Sequence, residues 1–268
     1  MSWQPSPDWT PLTAGTGQAT GGVWRTPSAE VVKRLVPGVT DPRHHAYWER
    51  QALVAESGVV ACTPGLRAPA CTGVQRDADG ITLRMAYTPP YDWSPEALAA
   101  ALGRFAASSV AEPAWGARDV LRDRLRTVER RGGWAALGGL STPAIAELWR
   151  RREAALDVLD ALPRVPTHGD AHPVNLLGRD GDEVVAIDWE QFGLGPAGFD
   201  LGYLLLGTDA PLDAVVEDGA ARCGAVLVAA YTGVSRAAWA LGQPEPGDHV
   251  ERLERLAPIV DEAVSHAS

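Results

Sequence analysis

Thr167-His168-Gly169-Asp170-Ala171-His172-Pro173-Val174-Asn175-Leu176-Leu177 continues through Gly178-Arg179-Asp180-Gly181-Asp182-Glu183 into Val184-Val185-Ala186-Ile187-Asp188-Trp189-Glu190. Asp180-Gly181 or Gly181-Asp182 separates two apolar runs. That is the pattern of a β-hairpin, with Asn175–Leu177 as one strand and Val184–Ile187 as the return. Pairing about that turn sets Asn175 beside residues 186–188, so Asn175 and Asp188 emerge at the same end. Asp170 lies on the loop entering that end, and three oxygen-bearing side chains converge. Asp and Asn oxygens suit Mg²⁺, a hard cation. A separate carboxylate can accept the proton of an attacking hydroxyl. An Asp, an Asn five residues later and a further Asp downstream match, in order and spacing, the parts of a phosphoryl-transfer site.

Upstream of this segment the first ninety residues read as strands and turns with one helix. Glu30-Val31-Val32-Lys33-Arg34-Leu35-Val36 is rich in β-branched residues and forms a strand with Val31, Lys33 and Leu35 on one face. Lys33 is the only lysine among 24 basic residues. A compact ammonium contacts phosphate differently from a flat guanidinium. A helix is expected from Pro42 to Ser57, closed by Gly58. Two strands follow, around Val74 and over Ile81–Tyr87, joined at Asp79-Gly80. Thr88-Pro89-Pro90 marks a boundary. Beyond it the chain is mainly helical: about 94–109, 117–131, a helix from Ser141 through Leu159, 201–207, 212–231 and 250–264.

His168-Gly169-Asp170, then Asn175, then Ile187-Asp188-Trp189-Glu190, then Gly198-Phe199-Asp200 resembles the aminoglycoside phosphotransferase and choline kinase-like family. The resemblance is strong over about residues 165–205, weaker over the first ninety, and topological in the C-terminal helices. It implies an α+β, bilobal, protein-kinase-like fold. Residues 1–90 would form a small antiparallel-sheet lobe that binds nucleotide. Residues 91–268 would form a larger helical lobe for catalysis and acceptor binding. Carried over, Asp170 is the catalytic base, and Asn175 and Asp188 hold Mg²⁺. His168 and Asp200 brace the catalytic loop, though Asp200 also reads as the N-cap of the helix after it. Lys33 would contact the α- and β-phosphates of ATP, with Glu49 as its partner; Glu56 lies on a similar face. The adenine would rest against Met85–Thr88, with Met85 and Tyr87 in contact. The stretch Ala14–Gly22 departs from the kinase glycine-rich pattern, which leaves Gly15, Thr16 and Gly17 as the phosphate-covering candidates. The few residues between Asp188 and Pro196 leave no room for a long activation loop, unlike a regulated protein kinase.

Hydrophobic residues make up 46% of the 268, enough for a substantial core. The formal net charge of -10 opposes binding to nucleic acid or anionic membranes and mildly favours a cationic acceptor, such as an amino sugar or amino alcohol. Glu190, Asp209 and Asp213 are acids that could meet such a cation or simply face solvent. Cys62, Cys71 and Cys223 show no metal-binding spacing and suit a reducing compartment. No basic-then-apolar leader and no membrane-length apolar run is visible, so a cytoplasmic setting is expected. Two rival classes remain. A metal-dependent hydrolase would use a His168/Asp170/His172 cluster, which needs further ligands. A nucleotide-binding pseudokinase would keep the fold without turnover, although Lys33, Asp170, Asn175 and Asp188 are all present.

Overall fold

The structure, a computed structural model, describes residues 3–12, 19–217, 219–244 and 247–267. Its first third builds an antiparallel five-stranded sheet in the order β1-β2-β3-β6-β5. The strands are β1 (Thr10–Pro11), β2 (Thr20–Arg25), β3 (Glu30–Leu35), β5 (Cys71–Asp77) and β6 (Gly80–Ala86), with the short β4 (Leu66–Arg67) lying outside this sheet. Central β3 pairs with β2 and β6, Lys33 lying opposite Val23 and Leu83. Its β-branched residues favour this pleated, two-sided environment. Leu35 packs with Ala52 and Ile81 in a small cluster under the sheet. On the other face Arg34 forms a bidentate pair with Asp77, at 2.6 and 2.8 Å.

The first helix, α1 (Arg50–Ser57), is shorter than the expected 42–57, although Gly58 does close it in the left-handed conformation. Residues 42–48 are turns because Arg50 takes their carbonyls. Its fully buried guanidinium donates to the oxygens of Pro42, His44 and His45 at 2.7–2.9 Å. The oxygens of Pro42 and His45 are thereby withdrawn from helix hydrogen bonding, while that of His44 also accepts the N–H of Tyr47 in a tight turn at 3.1 Å.

The rest of the chain packs around two helices, α6 (Phe199–Leu206) and α8 (Ala220–Ala240). Gly202 permits their close approach, since a Cβ there would sit 2.8 Å from both Ala225 O and Val228 Cβ. Around this pair lie α2 (Pro95–Ala106), α3 (Val120–Arg130), α4 (Pro143–Arg150), α5 (Arg152–Ala161), α7 (Leu212–Val215), α9 (His249–Arg255) and α10 (Ala257–His266). The helix expected from 141 breaks at Arg151 into α4 and α5. The one expected over 212–231 is interrupted after Val215. It then runs on to Ala240, because Val234, Ala237, Ala238 and Ala240 continue its buried face. Val54, Val60 and Leu66 join this same large core, so the sheet half is tied to the helical half by apolar contact.

Two small sheets carry the segments on either side of residues 168–175 and 187–191. Strand β7 (Arg164–Thr167) pairs antiparallel with β10 (Gly193–Pro196). Strands β8 (Gly178–Asp180) and β9 (Glu183–Val185) form the hairpin, and β4 adds to β9 in parallel. The first strand of the hairpin begins at Gly178 rather than Asn175. Pro173–Asn175 instead form one 3-10 turn, started by a proline that fits its first position. The register still extends beyond the ladder: Leu177 N donates to Val185 O, and Ile187 N donates to Asn175 O at 2.8 Å. The ends of β7 and β9 therefore bring residues 168–175 and 187–191 together.

Candidate active site

Two cavities meet at Asn175 and Asp188. The first, about 360 Å³, is walled by Val23, Val31 and Met85 of the sheet and by Leu177 and Ile187 of the hairpin. Lys33, Gln51 and Tyr87 also line it. The second, about 520 Å³, holds Asp170, Glu190, Arg236 and His249. An apolar slot for a flat ring thus opens onto a polar chamber through a pair of oxygen donors.

Each polar residue is fixed from the loop upward. Gly169, at φ +86°, sits so close to Gln191 that a Cβ would lie 2.4 Å from its carbonyl oxygen. Only glycine meets both conditions. The Asp200 carboxylate accepts the N–H of His168 at 2.7 Å and of Gly169 at 2.9 Å. Complete burial pushes this carboxyl upward in pKa, while the two N–H donors pull the other way. The helix N-cap is Gly198, so Asp200 lies in the first turn and its carboxylate holds the loop. His168, fully buried, donates from Nε2 to Ile187 O at 2.8 Å. Its Nδ1 receives the N–H of Asp170 at 3.3 Å. This one imidazole joins the loop that carries Asp170 to the strand end that carries Asp188.

Asp170 is held loosely. Asn175 Nδ2 reaches its Oδ2 at 3.3 Å and its carbonyl oxygen at 2.9 Å. Arg236 Nη2 reaches its Oδ1 at 3.3 Å. Long contacts leave lone pairs for a hydroxyl. Because Asn175 donates through its nitrogen, its amide oxygen is left for the cavity it shares with Asp188. Asp188 itself adopts φ 65°, a left-handed conformation that aspartate tolerates better than most residues. Lys33 Nζ lies 2.5 Å from Asp188 Oδ1, and the ammonium is buried. Beside them, burial and the charge of Asp188 push the Glu190 carboxyl up to about 7.

Two expectations need correction. Lys33 pairs with Asp188, not with Glu49. Glu49 precedes α1 as its N-cap position, because the Arg50-bound turns delay the helix start. Glu56 instead pairs with Arg76. The helix residue that lines the cavity beside Lys33 is Gln51, whose buried Oε1 has no hydrogen-bond partner among the described residues. Gly15, Thr16 and Gly17 lie outside the described residues. The His168/Asp170/His172 metal cluster does not assemble. Both His168 nitrogens are engaged as above, and His172 Nε2 faces Arg252 at 3.4 Å. Burial and the Arg236 charge hold His172 down at about 4. Among the described residues, the side chains that gather as metal ligands could are His44, His45 and Asp123, at a different place.

Sequence reading missed Arg50, Arg236 and Trp189. Trp189 is buried beneath the loop, its ring centroid 4.6 Å from that of His168 and its Nε1 donating to Ala186 O at 2.7 Å. A signal existed for Arg50 alone: it is a charge on the apolar side of a short amphipathic stretch.

A model of the phosphotransferase enzyme family matches residues 9–243. Among curated proteins nothing matches. Among solved structures, a choline/ethanolamine kinase family protein from Mesorhizobium loti is 18% identical with a TM-score of 0.64, covering 97% of this chain and 90% of that one. The GDP complex of aminoglycoside 2'-phosphotransferase-IIIa is 14% identical with a TM-score of 0.59, covering 100% and 95%. A ternary complex of streptomycin, ATP and APH(2")-IIa is 12% identical with a TM-score of 0.54, covering 97% and 93%. At such identities the likeness is one of fold, and that fold is the α+β, kinase-like one expected from the sequence.

Proposed function

We propose, on the premise that this chain belongs to the phosphotransferase enzyme family and is a small-molecule kinase, that it moves the terminal phosphoryl group of ATP, with Mg²⁺, onto a hydroxyl of a small molecule. One observation carries this reading: Asp170, Asn175, Asp188 and Lys33 gather where the apolar slot opens into the polar chamber. ATP would lie between residues 1–90 and 91–268. Its adenine would rest among Val31, Met85, Tyr87 and Leu177, and its phosphates would point toward Lys33.

The donor set fits magnesium. Asp188 offers a carboxylate and Asn175 an amide oxygen turned to the same cavity, both hard oxygen ligands. Bound there, the ion would neutralise charge on the phosphates. Lys33 is placed to leave Asp188 for a phosphate oxygen, with the unpartnered Gln51 Oε1 lining the same cavity. Asp170 receives the proton of the acceptor hydroxyl. The acceptor oxygen bonds to the γ-phosphorus, and the bond from that phosphorus to its bridging oxygen breaks, leaving ADP with the electron pair. Little covalent chemistry falls to the protein, so positioning by His168 and Asp200 contributes most.

A cytoplasmic setting belongs to the same proposal. Cys62, Cys71 and Cys223 are free thiols, as suits a reducing compartment. No helix among the described residues is long and apolar enough to cross a membrane.

The test is acceptor-dependent ADP release in a coupled assay with ATP and Mg²⁺, with Asp170→Ala as control. The variant should lose turnover by about 10²–10⁴-fold while still binding nucleotide. Near-normal turnover in Asp170→Ala would remove Asp170 from the reaction.

A further inference from the structure

Beyond Asp170 the polar chamber opens into a third cavity of about 470 Å³ between α3, α8 and the 44–45 turn. The two share Arg124, Arg131, Arg236, His45 and Trp239. The chain as a whole carries 34 acidic and 24 basic residues. This cavity inverts that balance: its described lining has four arginines and no aspartate or glutamate.

These arginines are poorly neutralised. Among the described residues the one ion pair of Arg236 is the loose 3.3 Å contact with Asp170. Arg124 donates to a neutral partner, Gln191 Oε1, at 2.7 Å. Its guanidinium lies 5.1 Å from the Tyr203 ring centroid, and that of Arg236 lies 5.4 Å from the same ring. Two like charges are thus held against one aromatic ring. Arg131, at the C-terminal end of α3, has no ion pair among the described residues. Elsewhere arginines are matched: Arg34 with Asp77, Arg118 with Glu112, Arg222 with Glu262 and Asp213. The neighbouring histidines agree in sign. Burial first, and Arg236 next, lower both His172 and His249.

An ammonium-bearing acceptor would meet repulsion here. Guanidinium forks match carboxylate and phosphate oxygens, and they do so most strongly where water is partly excluded. We propose that the hydroxyl acceptor of this kinase carries an anionic group, a carboxylate or a phosphate, bound by Arg124, Arg131 and Arg236 with its hydroxyl turned to Asp170. The inference rests on the kinase reading above. It also gives Arg236 a second effect, since a bound anion draws the guanidinium from Asp170 and leaves Oδ1 for the hydroxyl proton. The net charge of the chain points to a cationic acceptor, but that acidity does not extend to this cavity.

The test is calorimetry on protein saturated with Mg²⁺ and the non-hydrolysable nucleotide AMP-PNP, so that phosphate-binding groups of the nucleotide site are filled. The probes are gluconate and glycerate as carboxylates, glycerol 3-phosphate and glucose 6-phosphate as phosphates, and choline and kanamycin as cations. At least one anion should bind, more weakly as salt rises. Arg131→Gln should weaken it about tenfold, as for loss of one charge-assisted contact. Arg131 is exposed and carries no structural partner among the described residues, so that variant should melt as wild type does; Arg236→Gln should act in the same direction. The class of anion that binds separates carboxylate from phosphate recognition. Binding of choline or kanamycin, or of no anion, would overturn the proposal. A melting temperature unmoved by Mg²⁺ and AMP-PNP would instead overturn the kinase reading, and the acceptor role with it.

Discussion

Replacing Arg50 with methionine should destabilise the protein by about 3–5 kcal/mol, the usual consequence of breaking a buried charged network from one side. Arg50 is fully buried and uses every guanidinium nitrogen. Nε donates to Trp115 O at 2.9 Å, Nη1 to His45 O at 2.9 Å and Glu190 O at 2.6 Å, and Nη2 to Pro42 O at 2.8 Å and His44 O at 2.7 Å. Burial lowers its pKa to about 10, so it stays charged at neutral pH. Methionine fills a similar volume but leaves four carbonyls unpaired among the described residues, His44 O keeping the N–H of Tyr47. Each orphaned group costs about 1–3 kcal/mol, and relief from burying the cation offsets part of the sum. Lysine has three donors on a point charge and cannot span all five acceptors, so Arg50→Lys should lose roughly half as much. Urea unfolding followed by tryptophan fluorescence reads both values. For a chain of this size the methionine variant should melt about 10 °C lower. A methionine variant within about 1 kcal/mol of wild type would show that Arg50 does not organise the 42–48 turns.

Gly169→Ala should cost about 1–3 kcal/mol of stability from backbone strain and reduce kcat, because its Cβ would press on Gln191 and move Asp170. Gly181→Ala, also at positive φ but with nothing within 4 Å, is the control and should leave kcat unchanged; equal kcat for the two variants would remove the steric account. His172 makes stability depend on acid. Its imidazole is held at about 4 against 6.5 in the unfolded chain, so between those pH values the unfolded chain binds a proton that the folded one refuses. Stability should therefore fall as pH drops through 6.5 toward 4, by about 2 kcal/mol after allowing for partial exposure. His172→Asn should flatten that limb in urea titrations, and an unchanged limb would place the acid sensitivity elsewhere.

What could be read from the sequence is what local spacing determines. The hairpin turn at 181–182 sets Asn175 beside the Asp188 end by local spacing, while the loop that carries Asp170 is also held by the distant Asp200. The alternation in β3 likewise aims Lys33 at the cavity. Misread features depend on contacts distant in sequence. The start of α1 is decided by Arg50 reaching Trp115 and Glu190, and that shift removes Glu49 from the Lys33 side. The split at Arg151 shows how weak the pattern of a continuous helix is when both halves have their own apolar faces. The charge of the acceptor cavity was hidden most fully. Its arginines come from α3 and α8, more than a hundred residues apart, and net charge averages over a surface that the cavity does not sample.

The most direct measurement is transfer of label from ATP labelled at the γ-phosphate to a low-molecular-weight acceptor, drawn from hydroxy acids, sugar phosphates, amino sugars and amino alcohols. Wild type and Asp170→Asn would be compared with and without Mg²⁺. Small-molecule phosphotransfer predicts a labelled product that requires Mg²⁺ and falls by at least about a hundredfold in the variant. Label released only as inorganic phosphate, or a product formed equally by Asp170→Asn, would contradict it.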